Sequence, residues 1–116
     1  MKGDDIADRL LTFAADVLRI VSNLENSVQA RHIAKQLIRA ATSSGANYEE
    51  ARGAESRADF VHKIKVASKE MREASYWLRL TRQAALIGDS ELKHAIQEAH
   101  ELTAILSASA KTAKSR

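Results

Sequence analysis

The chain has no cysteine and no proline, and its 116 residues include only four glycines. Without cysteine there is no disulfide, no zinc site built on thiolates and no thiol nucleophile. Without proline, and with glycine confined to Gly3, Gly45, Gly53 and Gly88, little interrupts a helix or builds a turn. Val and Ile never fall in period-two runs flanked by turn residues, which argues against strands. No stretch of ~18 apolar residues occurs, so no membrane-spanning helix is expected. The opening MKGDDIADRL puts acids where a secretory leader needs a positive stretch and then an apolar one. The expected location is cytoplasmic.

What is present favours helix. Alanine, leucine, arginine, lysine and glutamate dominate, and all are good helix formers. A chain of this length makes one domain, here spanning 1–116, large enough to bury a core without staples. The net charge of +3 and a pI near 9.4 are mildly basic, which permits contact with nucleic acid without requiring it.

Four segments show helical periodicity. The first covers about 4–24, with Ile6, Leu10, Phe13, Val17, Ile20 and Leu24 on one face and Asp4 or Asp5 as the cap. The turn Asn23 to Ser27 leads to a second helix over 27–52, whose buried line is Ile33, Leu37, Ala40 and Ala41, Ser44, Tyr48 and Ala51. Its small middle, Ala40 to Ala46, lets a neighbour approach closely, although Gly45 costs ~1 kcal/mol of helix propensity. Gly53 ends it, and Ser56 with Asp59 has capping-box spacing. The third helix, 56–87, carries Phe60, Ile64, Ala67, Met71, Ala74, Leu78, Thr81 and Ala85, and Gly88 is expected to stop it. Asp89 or Ser90 caps a fourth helix over 90–110, with Leu92, Ala95, Ile96, Ala99, Leu102, Leu106 and Ala110 inward and a frayed tail at 111–116. Short connections make neighbours antiparallel, so the expected fold is an all-α, up-and-down four-helix bundle.

Two further stripes lie on the third helix. Lys65, Lys69, Arg72, Tyr76, Arg79 and Gln83 step by four and three along one flank, and Arg57 to Arg82 holds seven Lys or Arg against three acids. Cations at helical spacing displace counterions from a phosphate backbone, and a tyrosine offers a face for a base. The competing reading is a solvated face paired with Glu70 and Glu73. The other flank, Val66, Trp77, Leu80 and Ala84, is apolar beyond what one bundle needs. So is a stripe on the first helix: Ala7, Leu11, Ala14, Leu18 and Val21. Such surplus points to self-association; the alternative is a wider core face.

Catalytic and metal signatures are absent. Glu91-x-x-His94 resembles one element of a di-iron bundle, but such sites need two, and Leu92, Ala95 and Ile96 mark the inward face instead. His32, His62 and His100 offer no ligand spacing, the serines no nucleophile elbow, and Glu49, Glu50 and Glu55 read as solvated acids near a helix end. No enzyme activity, cofactor, metal or small-molecule substrate is expected.

The stretch from Gln36 to Leu80, and within it SGANYEEARGAESRADF (Ser44 to Phe60) and KEMREASYWL (Lys69 to Leu78), resembles the four helix bundle proteins related to the 23S ribosomal RNA intervening-sequence protein. The resemblance implies a closed up-down bundle assembling as a homopentamer. Some relatives are encoded within intervening sequences of ribosomal RNA genes, and a similar basic pentamer engages nucleic acid and a reverse transcriptase. The expected role is therefore a non-enzymatic homo-oligomer that binds structured RNA or DNA through Lys65, Lys69, Arg72, Tyr76 and Arg79, extended by Lys35 and Arg39. Its subunit contacts are expected at Val66, Trp77, Leu80 and Ala84. The rival is a protein-interaction scaffold that binds no nucleic acid.

Overall fold

Each apolar series folds as a helix with its stripe turned inward. A computed structural model describes residues 3–116 and contains α1 (Asp4–Ser22), α2 (Val28–Arg52), α3 (Arg57–Gln83) and α4 (Asp89–Lys114). The expected domain includes Met1 and Lys2, which lie outside the described residues. Among the described residues there is no strand. The helices form a bundle of 47 × 22 × 21 Å in which α1 and α3 each pack against α2 and α4. The diagonal pairs stay more than 8 Å apart between Cα atoms among the described residues.

The core is one contiguous cluster. Leu10, Phe13, Val17, Leu37, Ile64, Met71, Leu78, Leu92, Leu102 and Leu106 are fully enclosed in it. Alanines 40, 41, 67, 74 and 99 are buried between them, and these let the helices lie close. At Gly45 an added Cβ would sit 3.7 Å from the Leu10 Cβ, so α1 lies directly over the small middle of α2.

Several boundaries differ from expectation, each for a local reason. α1 stops at Ser22 because the Ser22 hydroxyl and the Asn23 amide both donate to the Arg19 carbonyl, at 2.7 and 3.1 Å. Its N-cap is Gly3, in the left-handed region at φ 90°, not Asp4 or Asp5; Asp4 instead pairs with Arg52. The Gly3 carbonyl accepts from the Tyr48 hydroxyl at 3.3 Å, which ties the start of α1 to the end of α2. Ser27 and Ser56 cap α2 and α3 as their positions suggest, accepting from Ala30 N and Asp59 N. Gly53 follows α2 as its C-cap. Gly88, not Asp89 or Ser90, is the N-cap of α4, and it makes no side-chain cap bond. α4 stays helical to Lys114, four residues past the expected end at 110.

The third helix ends four residues before Ile87. Ala84 is its C-cap, Leu86 N donates to the Thr81 carbonyl at 3.2 Å, and Ala85 N donates to Arg82 at 3.1 Å. That pair of bonds is a Schellman motif, with Ala85 at φ 56° where glycine is the usual residue. Ala85 therefore leaves the core line and is exposed, while Ile87 folds back against the core. A Cβ in left-handed backbone costs ~1–2 kcal/mol, partly offset by the entropy that glycine adds to the unfolded chain. Ala85→Gly should stabilise the fold by about 1 kcal/mol and raise the melting temperature by roughly 4 °C. A thermal melt checks it; an unchanged or lower midpoint would count against this turn.

Candidate functional site

Two arginines decide where the acids of α3 and α4 point. Arg39 on α2 reaches Glu70 at 2.8 Å and also bonds Glu73. Arg9 on α1 reaches Glu98 at 2.6 Å and Glu101 at 3.1 Å. Each gathers carboxylates three residues apart, which lie together on one helix face. The hydrogen bond to Glu98 is the largest influence raising the Arg9 pKa. The Glu101 carboxyl is held below the ordinary range first by the Gln97 amide and then by Arg9. Partly exposed pairs of this kind contribute ~0–1 kcal/mol each, so their main consequence is where charge sits.

Glu70 and Glu73 thus turn toward α2, away from the lysines of their own helix, and Glu98 and Glu101 turn toward α1. The α1/α2 seam has Arg52–Asp4, the α2/α3 seam Arg39 and a 2.8 Å Lys63–Glu50 pair, and the α1/α4 seam Arg9. Among the described residues, the one side-chain ion pair across the α3/α4 seam is a 4.0 Å Arg82–Asp89 contact at the turn, while at the opposite end Arg57 donates to the main-chain oxygen of Arg116. Between those ends, none of Lys65, Lys69, Arg72, Arg79, Lys111 and Lys114 has a side-chain carboxylate within 4.0 Å among the described residues. That seam is positive because its neighbours have drawn the acids off.

At the end of the seam near the α2–α3 turn lies a pocket of about 400 Å³. Lys65, Ser68, Lys69 and Arg72 line it from α3, and Ser107, Ala110, Lys111 and Lys114 from α4. Tyr76 and Arg79 continue the row beyond it. Tyr76 is exposed, its ring edge-on to Trp77 with centroids 5.0 Å apart, and Arg79 Nε donates to the Ser75 carbonyl at 3.3 Å. Toward the α3–α4 turn a second hollow, about 580 Å³, is lined by Arg82, Lys93 and His94 among others. Five of the expected contact residues therefore share one flank. Lys35 and Arg39 do not: both are on α2, which does not border this seam, and Arg39 is engaged by Glu70 and Glu73. Lys111 and Lys114 were not expected here. The signal was present in the sequence, since Leu106, Ala110 and Ala113 continue the four-and-three step with no glycine or proline to stop it.

The apolar flank of α3 is largely used within the subunit. Trp77 is half-buried against the core, donates Nε1–H to Glu73 at 2.9 Å, and meets His32 edge-on at 5.9 Å. Val66 and Leu80 are half-buried and Ala84 is exposed. The first helix keeps more of its surplus open. Leu11 is 71% exposed and lines a groove of about 500 Å³ shared with Thr42, Gly45 and Ala46 of α2, and Leu18, further along the helix, is 48% exposed. Glu91 and His94 are exposed, and among the described residues no three His, Asp or Glu side chains converge as metal ligands. No described helix is long and apolar enough to cross a membrane.

Residues 4–108 match the family of the 23S rRNA-intervening sequence protein. A solved protein of unknown function from the S23 ribosomal protein family of Bacteroides thetaiotaomicron superposes with a TM-score of 0.84 and 33% identity. The match covers 91% of this chain and 98% of that one. No curated protein matches.

Proposed function

From the premise that this chain belongs to the 23S rRNA-intervening sequence protein family, we propose that it is a non-enzymatic protein that binds RNA or DNA along its α3/α4 seam. Lys65, Lys69, Arg72 and Arg79 contact phosphate in this reading, Lys111 and Lys114 extend the track from α4, and Tyr76 offers a face to a base. The observation that carries the reading is the sorting of charge. Arg9 and Arg39 hold Glu98, Glu101, Glu70 and Glu73 on the outer flanks, so Lys65, Lys69, Arg72 and Arg79 have no carboxylate partner among the described residues. A nucleic-acid backbone is the kind of partner that repays such a surface, because each phosphate neutralised releases counterions.

The test is a salt titration of binding to a generic structured RNA. Engagement of about four phosphates predicts a log–log slope between roughly −3 and −4, and the absence of binding near 50 mM salt would overturn the reading. The rival, a protein-interaction scaffold, would then stand. It draws on the open Leu11 in its groove and on the exposed Leu18. Those side chains also support the homo-oligomer reading, with the pentamer implied by the family resemblance as the size to test and the Trp77 stripe as a second contact. Light scattering that returned the mass of one 12.8 kDa chain at micromolar concentration would remove the assembly proposal.

A further inference from the structure

The pocket at the Lys65 end differs in kind from the open row of cations that leads to it. Lys65, Lys69 and Arg72 approach it from one helix and Lys111 and Lys114 from the next, with no carboxylate in its lining. Its volume of about 400 Å³ lies in the range of discrete small-ligand sites, roughly 300–1,000 Å³, but its walls are cationic where such sites are usually apolar. Its base carries two hydroxyls: Ser68 Oγ lies 2.7 Å from Ser107 Oγ and donates to the Thr103 carbonyl over 3.4 Å. That second bond is at the long limit for a hydroxyl donor, so the Ser68 proton can turn to an anion at little cost.

We infer that this pocket is a discrete site for a run of directly linked phosphates, such as a triphosphate, rather than for a single phosphate. The inference rests on the nucleic-acid reading in that it shares Lys65, Lys69 and Arg72, and adds the two α4 lysines as the determinants of this site. Charge balance selects the ligand. A phosphate monoester carries about −1.5 to −2 and leaves most of five converging cations unneutralised, whereas linked phosphates bring several charges within one compact group. Lysines suit such a ligand because their ammonium groups sit on flexible stems and can close around it from both helices. The chemistry is shared by two sources, the 5′-triphosphate end of an RNA and a free oligophosphate.

Calorimetry on the full chain with inorganic tripolyphosphate and with orthophosphate, near 50 mM salt, tests the inference. Tripolyphosphate should bind at least about a hundredfold more tightly than orthophosphate, at roughly tenfold per additional charge contact. Lys111→Ala with Lys114→Ala should weaken it about a hundredfold on the same reasoning. Equal affinity for the two anions, or a double variant that binds tripolyphosphate like the parent, would overturn the pocket. Circular dichroism of the variant guards against reading an unravelled α4 as a lost contact, and Lys111→Arg with Lys114→Arg should restore binding. A 5′-hydroxyl RNA separates the two proposals. If it binds while tripolyphosphate does not, the seam stands and the pocket falls; if tripolyphosphate binds and that RNA does not, the reverse holds. A 5′-triphosphate RNA that outbinds its 5′-hydroxyl twin supports an RNA end as the source, and equal affinity alongside tight tripolyphosphate binding supports the free anion.

Discussion

A chain carrying Lys65→Ala, Lys69→Ala and Arg72→Ala should keep its fold and bind generic RNA about a thousandfold more weakly near 50 mM salt. The figure follows from counterion release at about tenfold per phosphate contact under those conditions, applied to three contacts. The salt dependence should flatten with it, by roughly two to three units of log–log slope. Stability should barely move. All three side chains are exposed and have no ion-pair partner among the described residues, and surface substitutions of this kind usually stay within about 0.5 kcal/mol. Lys35→Ala is the informative control. Lys35 is exposed on α2, which does not border the seam, so its removal should change RNA affinity by less than about threefold, although it is as cationic as the others. If the triple variant binds like the parent, or if Lys35→Ala costs as much as the triple, the seam is not the contact surface.

That contrast also shows how far the sequence could be read. The inward lines of all four helices are legible because burial obeys the 3.6-residue period, and Leu10, Leu37, Met71 and Leu102 fall where the period puts them. Helix ends are less legible. Gly88 was a natural stop, but the chain turned at Ala85, paying the left-handed penalty so that Ile87 could fold back against the core. The basic row on α3 is visible as a string, yet its meaning depends on partners from other helices. Nothing local says that Glu70 and Glu73 will choose Arg39 over Lys69 or Arg72; that choice is made by the packing of α2 on α3. The pocket was hidden for the same reason. Its second wall comes from residues 35 to 49 positions away, two of them, Lys111 and Lys114, in a segment whose polar character suggested fraying.

The attachment of α1 is the other place where a large effect is expected, and it separates two kinds of apolar residue on one helix. Phe13 is enclosed to 1% exposure in the common core, and its loss should cost ~3–5 kcal/mol as Phe13→Ala. Domains of this size are stable by about 5–15 kcal/mol, so that is a third or more of the total for many such folds. With a urea slope of roughly 1–3 kcal/mol/M, the unfolding midpoint should fall by at least about 1 M. The damage should be local before it is global. α1 packs against the same two helices as α3 but much less extensively, above all along α4, and its contact with α2 runs over Gly45, which offers no bulk to collapse into the space. Amide exchange should therefore quicken in α1 sooner than in the more closely packed α3. Leu11, two residues earlier and 71% exposed, should behave in the opposite way. Leu11→Ala should leave stability within about 0.5 kcal/mol while lowering the self-associated mass if α1 meets a second subunit. A Phe13→Ala chain that unfolds within 1 kcal/mol of the parent would mean that α1 is not packed into the bundle core.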